Sequence, residues 1–149
     1  MSEKTTNPLQ WIEDHVKLYR EDPEKAHLWD SAMAGGKGVF PALLLTAIGR
    51  KSGAPKSLPL IYKKVGENYV IIASKGGAPA HPVWYLNLLA EPKCHIQVGH
   101  DHFDSVARTA TGSEREELWR QLAEVYPPYN DYKKTAGDRE IPVVVIEPQ

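Results

Sequence analysis

A chain of 149 residues with 42% hydrophobic and 25% charged positions holds enough apolar material for one buried core and lacks the bias of a disordered or fibrous sequence. Its formal net charge of −1 and isoelectric point near 6.6 argue against a general nucleic-acid or membrane-surface binder, which needs a basic excess. One cysteine, Cys94, excludes an internal disulfide, and no apolar run approaches the roughly 18 residues of a membrane span, so a soluble cytoplasmic protein is expected.

In chain order, Asn7-Pro8 opens an amphipathic segment in which Trp11, Ile12, Val16 and Tyr19 recur at helical spacing, predicting a helix. A mixed stretch from Pro23 to Phe40 includes the loop-like Ala34-Gly35-Gly36-Lys37-Gly38. Two apolar runs, Ala42 to Ile48 and Leu58 to Tyr62, flank Gly49-Arg50-Lys51-Ser52-Gly53-Ala54-Pro55-Lys56 and read as a β-hairpin. A turn at Val65-Gly66-Glu67-Asn68 leads into a strand over 69–75, which Gly76-Gly77-Ala78-Pro79 ends. Pro82 starts a short helix to Ala90. Strands over 94–98 and 103–110 follow, joined through Gly99-His100-Asp101-His102. Ser113-Glu114-Arg115-Glu116 reads as a capping box opening a helix with Leu118, Trp119, Leu122 and Val125. A polar loop leads to a last strand over 141–146, placed at a sheet edge by Pro142. Hairpin-length links predict a mainly β chain with flanking helices: about six antiparallel strands in a small barrel, one domain over 1–149 with a helical N-terminal extension over about 7–33.

Three constellations carry chemistry. Arg50, Lys51 and Lys56, with the Ser52 hydroxyl and the Gly53 amide, crowd three cations on one turn, either as a site for phosphate or carboxylate or as a solvated basic turn. Ser74-Lys75-Gly76-Gly77 is a second strand end with a hydroxyl, a cation and glycines that admit close backbone approach. Pro82-Val83-Trp84-Tyr85 beside it suits a ligand with a flat ring and a charged tail. In Tyr126-Pro127-Pro128-Tyr129-Asn130-Asp131-Tyr132, tyrosines three apart either grip a planar substrate and donate a hydrogen bond or glue a loop to the barrel. The six histidines are scattered, and no metal site is expected; Cys94 and His95 fall on opposite strand faces. There is neither a Gly-x-Gly-x-x-Gly after a strand nor a Walker A pattern, so nucleotide binding of either common kind is unsupported. With no nucleophile, metal or paired acids, redox chemistry here needs a cofactor.

Leu44-Leu45-Thr46, Gly49-Arg50-Lys51-Ser52-Gly53, Pro59-Leu60, Ala73-Ser74-Lys75-Gly76-Gly77, Pro82 to Leu88 and Tyr126-Pro127-Pro128-Tyr129 together resemble the deazaflavin-dependent nitroreductase family, coenzyme F420-dependent quinone and nitro reductases of actinobacterial type. The resemblance implies a split β-barrel related to flavin-binding barrels. It implies that Arg50, Lys51, Lys56, Ser74, Lys75 and Gly76 contact the phosphate and oligoglutamate tail of F420, with Ser52 and Ala73 in the same set. Pro59, Val83 and Trp84 would border the ring; Tyr126, Tyr129, Tyr132 and Ile61 would meet the substrate, with Tyr129 and Tyr132 as the catalytic pair. Lys56 stands where relatives often carry Arg, and Ile61 where some carry Tyr. The implied partner is a small hydride acceptor, with a peripheral membrane contact if that acceptor is a lipid quinone. Whether the protein is a monomer or a homodimer stays open. So do an FMN-dependent reductase and a non-catalytic carrier of F420, flavin or haem.

Overall fold

Side chains along a strand point alternately to opposite faces, and that period of two decides what each sheet face covers. The computed structural model describes residues 10–30, 38–78 and 80–149. Among these residues the strands are β1 (Leu28–Asp30), β2 (Val39–Ile48), β3 (Pro55–Ile61), β4 (Lys63–Val65), β5 (Asn68–Ile72), β6 (Lys93–Val98), β7 (Asp101–Thr109) and β8 (Val143–Pro148). The helices among them are α1 (Gln10–Glu21), α2 (Pro23–Ala26), α3 (Val83–Ala90), α4 (Gly112–Val125) and α5 (Pro128–Thr135), with a 3-10 turn over Lys75–Gly77. The sheet runs β1-β2-β6-β7-β8-β5-β4, antiparallel throughout, and β3 pairs with β2.

Only Tyr62 separates β3 from β4, yet β3 pairs with β2 and β4 pairs with β5 at the far end of the sheet. The chain itself, bent at Tyr62, thus joins the two ends of the sheet into a split β-barrel. Pro55 and Pro59 fit β3 because proline lacks the ladder donor and is tolerated where only one side is paired.

Leu43, Leu45 and Ala47 of β2, Tyr69 and Ile71 of β5, Ile96, Ala107, Val144 and Ile146 fill the barrel, joined by Trp84, Tyr85 and Leu88 of α3. The intervening residues Val70, Ile72, Val143 and Val145 turn outward and are covered by Leu118, Trp119 and Leu122 of α4 and Tyr129 of α5. A smaller cluster seats Tyr19 of α1 and Ala26 on Leu44. Each aliphatic side chain buried in this way contributes about 1.5–3 kcal/mol.

Two polar ties fix α1. His15 donates from Nε2 to the Ala26 carbonyl (2.7 Å), and the Tyr19 hydroxyl donates to the Ala42 carbonyl (2.6 Å) while accepting from the Gly99 amide (3.1 Å). The N-terminal extension is therefore not wholly helical, since it ends in β1. The start signal at Asn7-Pro8 and most of the Ala34–Gly38 loop lie outside the described residues.

Three other expectations are corrected. The capping box is not formed: α4 begins at Gly112 after Thr111, with no side-chain cap, so Ser113 lies within the helix, where its neighbour Glu114 grips Arg108 (2.7 and 2.9 Å). The segment after Pro127 is a helix rather than a loop, because its tyrosine spacing gives α5 one apolar side to bury. The last strand, β8, is central, between β5 and β7. Pro142 precedes its ladder and only accepts, from the Ala73 amide (3.0 Å). Among the described residues no helix is long and apolar enough to cross a membrane.

Candidate functional site

The basic turn links β2 to β3 through residues 49–54, closed by Gly49 N–H to the Ala54 carbonyl and Gly53 N–H to the Gly49 carbonyl (both 2.8 Å). A side chain at Gly49 would put its Cβ 2.7 Å from Ser52 Oγ and 3.6 Å from Lys56 Cε, so glycine there lets the Ser52 hydroxyl and the Lys56 stem fold over the turn. Arg50, Lys51, Ser52 and Lys56 are all exposed. One of these cations is anchored. Arg50 donates from its amide (3.0 Å) and from Nη1 (3.4 Å) to Oδ1 of Asn87, a buried polar residue on α3. Burying a polar group without a partner is costly, so Asn87 in an otherwise apolar helix earns its place through this contact.

At the other side of α3 lies the second turn. His81, just before the helix, packs edge-on against Tyr85 (5.1 Å between centroids). Ser74 has right-handed helical backbone angles (φ −76°, ψ −38°), and Lys75 follows with φ +49°, the left-handed region. Successive right- and left-handed residues form a concavity of amides that suits an anion. Gly76 lies in the same turn, and Ala73, fully buried, leads into it. Arg139 sits behind: it donates to the carbonyls of Ala78 (Nε, 2.8 Å), Ala73 (Nη1, 3.0 Å) and Ser74 (Nη2, 2.6 Å), and to Nδ1 of His81 (3.1 Å). His81 therefore accepts at Nδ1 in its neutral form. Burial, with the Arg139 charge beside it, holds its pKa below the usual imidazole value.

α5 is bolted to this turn. Thr135 Oγ1 donates to the Gly77 carbonyl (3.2 Å), and a Cβ on Gly77 (φ +80°) would fall 2.0 Å from that oxygen and 2.8 Å from Tyr132 Cα. The tyrosines are thereby set beside Lys75. Tyr126, Tyr129 and Tyr132 form a triangle of rings 5.0–6.3 Å apart, with the Tyr126 and Tyr132 hydroxyls at 3.3 Å. Phe40, at the start of β2, meets Tyr126 edge-to-face at 4.9 Å. Burial, then the hydrogen bond to Tyr132, push the Tyr126 pKa upward, so it stays a protonated donor at neutral pH.

The members are not equivalent. Tyr129 is 5% exposed and packs on Trp119, which corrects its placement at a substrate face: it backs the other two rings. Trp84 is likewise buried in the barrel, leaving Val83 (60% exposed) as the open apolar surface at the start of α3. Pro59 is buried within β3. Ile61, half-buried, is paired with Ala42, six strand residues and so about 20 Å from Pro55 at the basic turn. The gathered site runs from Arg50, along α3, to Lys75 and the tyrosines.

Arg139, His81, Thr135 and Phe40 had no local sequence signal, since their partners lie far away along the chain. Asn87 did have one, as the lone polar residue of an apolar helix. On the outer face of β6 and β7, His95 bonds to Asp104 (3.0 Å) and His102 (2.9 Å), and His100 pairs with Glu24. Among the described residues no group of three or more His, Cys, Asp or Glu is placed to hold a metal.

The donor set fits an anionic cofactor tail: three exposed cations on one turn, and an amide concavity with a fourth on the other. The comparisons with known proteins name that cofactor. The family model described as F420H(2)-dependent quinone reductase matches residues 20–148. A Mycobacterium tuberculosis protein named F420H(2)-dependent quinone reductase Rv1261c is 33% identical over 148 residues, covering 92% of this chain and 95% of its own. The solved structure of an F420-H2 dependent reductase, FDR-A, is 42% identical with a TM-score of 0.67, covering 72% of this chain and 94% of that one. Another, described as a domain-swapped dimer, is 34% identical with a TM-score of 0.70 over 95% of this chain and 100% of that one. The chain belongs to the F420H2-dependent quinone reductase family, oxidoreductases that use the deazaflavin F420.

Proposed function

We propose that this protein reduces an electron-poor acceptor, a quinone in the first instance and activated enones or nitroaromatics by the same geometry, at the expense of reduced F420. The bound deazaflavin supplies the hydride. The chain supplies position, a dry apolar surface and a proton donor.

Arg50, Lys51 and Lys56 hold the acidic tail as point charges, with Ser52 adding a hydroxyl. Ser74, Lys75 and Gly76 receive a phosphate on backbone amides and the Lys75 ammonium, with Ala73 as the buried base of the turn. Val83 borders the ring, and buried Pro59 and Trp84 keep that border rigid from beneath. Tyr126 and Tyr132 face the acceptor. Their hydroxyls share one hydrogen bond, so one proton remains free for the acceptor oxygen on which negative charge develops. Tyr129 acts through them, by packing, and Ile61 shapes the acceptor pocket at the far end of β3.

The observation that carries this reading is the docking of the tyrosine helix on the Lys75 turn through Thr135 and Gly77. A cofactor carrier has no use for a hydroxyl-bearing wall fixed against its anion site. In fluorescence titrations, Arg50→Ala and Lys75→Ala should each weaken F420 binding by about tenfold or more (~1.4 kcal/mol), with melting temperature nearly unchanged. Unchanged affinity in both would overturn the groove. Tyr132→Phe should lower turnover of menadione with reduced F420 and spare cofactor affinity. Tight F420 binding by the unmutated protein with no turnover of any acceptor would instead establish the carrier.

A further inference from the structure

We propose that Arg139 is the positioning residue of the anion site, holding the Ser74–Lys75 turn in the one conformation that turns its amides toward the cofactor's phosphate. This rests on the assignment of that turn to the cofactor made above, and concerns how it is built rather than what it binds.

A guanidinium has five N–H donors and no acceptor. Here four of them are committed to the protein: the carbonyls of Ala73, Ser74 and Ala78, and Nδ1 of His81. Arg139 is thus poorly equipped to bind a ligand anion itself. What it does instead follows from the trans peptide, in which the carbonyl of one residue and the amide of the next point in opposite directions. The described chain has no cis peptide. Drawing the Ala73 and Ser74 carbonyls onto the guanidinium therefore sends the Ser74 and Lys75 amides away from it, side by side, with the Lys75 ammonium carried on the same turn.

The conformation needs such a hold. Lys75 is the non-glycine residue of the described chain with a positive φ, +49°, a region that L-residues with a Cβ avoid. Such a residue persists where its surroundings over-determine it. Arg139 reaches across more than 60 residues to supply that determination, while the Gly77–Thr135 contact holds the other end of the turn. Lysine at 139 would keep the charge but could not present the planar fork that takes three carbonyls at once.

The test compares two ligands: F420, and a deazaflavin truncated before its phosphate. Arg139→Lys should weaken F420 by about tenfold and change affinity for the truncated deazaflavin by less than about twofold. In the ligand-free protein, amide exchange at Ser74 and Lys75 should speed up. Equal weakening of both ligands, or full F420 affinity in Arg139→Lys, overturns the proposal. A double-mutant cycle keeps it falsifiable if the variant proves unstable. Because glycine adopts φ +49° without being held, Arg139→Lys should have a smaller effect on F420 affinity in a Lys75→Gly background, and strict additivity would count against it. The underlying site fails separately: it falls if Lys75→Ala and Arg50→Ala both bind F420 normally, whatever Arg139 does.

Discussion

The two basic turns flanking α3 are built from the same chemical vocabulary, glycine, serine and cations, and are held in opposite ways. Residues 49–54 form an exposed hairpin turn whose charges project into solvent, with Arg50 tied to Asn87. The Ser74–Gly77 turn is clamped by Arg139 behind and α5 at its end, and Lys75 is locked in a conformation lysine disfavours. The first can follow a flexible, multiply charged tail. The second can recognise one group at one place. On the proposed assignment, a long cofactor with a single phosphate and several carboxylates calls for one of each, with preorganisation concentrated at the phosphate.

The sharpest way to break the comparison is at Gly77. Gly77→Ala forces a Cβ against Thr135 Oγ1 and the Tyr132 backbone in a left-handed conformation, so α5 must move away from the turn. A destabilisation of about 2–4 kcal/mol and loss of both F420 binding and turnover are expected, checked by denaturant unfolding and titration. A glycine substituted without such effects would mean that α5 and the turn are not mechanically joined. Asn87→Leu addresses the looser turn. It removes the buried acceptor that steadies Arg50, and F420 affinity should fall only about three- to tenfold, with a steeper dependence on salt because the remaining contacts are exposed charges. A loss as large as that at Gly77 would erase the distinction between the turns.

The smallest effect is expected from pH. His15, His27 and His81 all have depressed pKa values, chiefly through burial, and His15 Nδ1 finds no hydrogen-bond partner among the described residues. With native values below the unfolded imidazole value of about 6.5, the unfolded chain takes up protons first as pH falls. The stability these residues supply is present above about pH 6.5 and lost as pH drops through their native pKa values. The melting temperature should decline by a few degrees between pH 7 and 5.5, and His15→Gln should flatten part of that decline while leaving neutral-pH F420 affinity in place.

The features legible in the sequence were those written in neighbouring residues. The hairpin around Gly49 was visible because two apolar runs and a glycine-rich turn suffice to form it, and the two-residue turn at Gly66-Glu67 likewise. The face-by-face division of β5 and β8 could not be read, because both faces are apolar and neither alternates with polar residues. α5 was hidden behind Pro127-Pro128 and a polar composition, although its tyrosine spacing was helical all along. Ser113 and Glu116 matched a capping pattern, but α4 already starts at Gly112, so Ser113 lies within the helix and cannot cap it. The site residues that carry charge were recognisable, whereas those that hold them in place act over distances along the chain that no local pattern records.

Lys75 has a further consequence for anyone who evolves this protein. Glycine would relax its backbone, so a screen rewarding heat resistance alone should be drawn to position 75, as to other strained sites. It would gain robustness by discarding the ammonium that the proposed anion site is built around. Stabilised variants of this scaffold should therefore be sought on the far side of the barrel, away from Lys75.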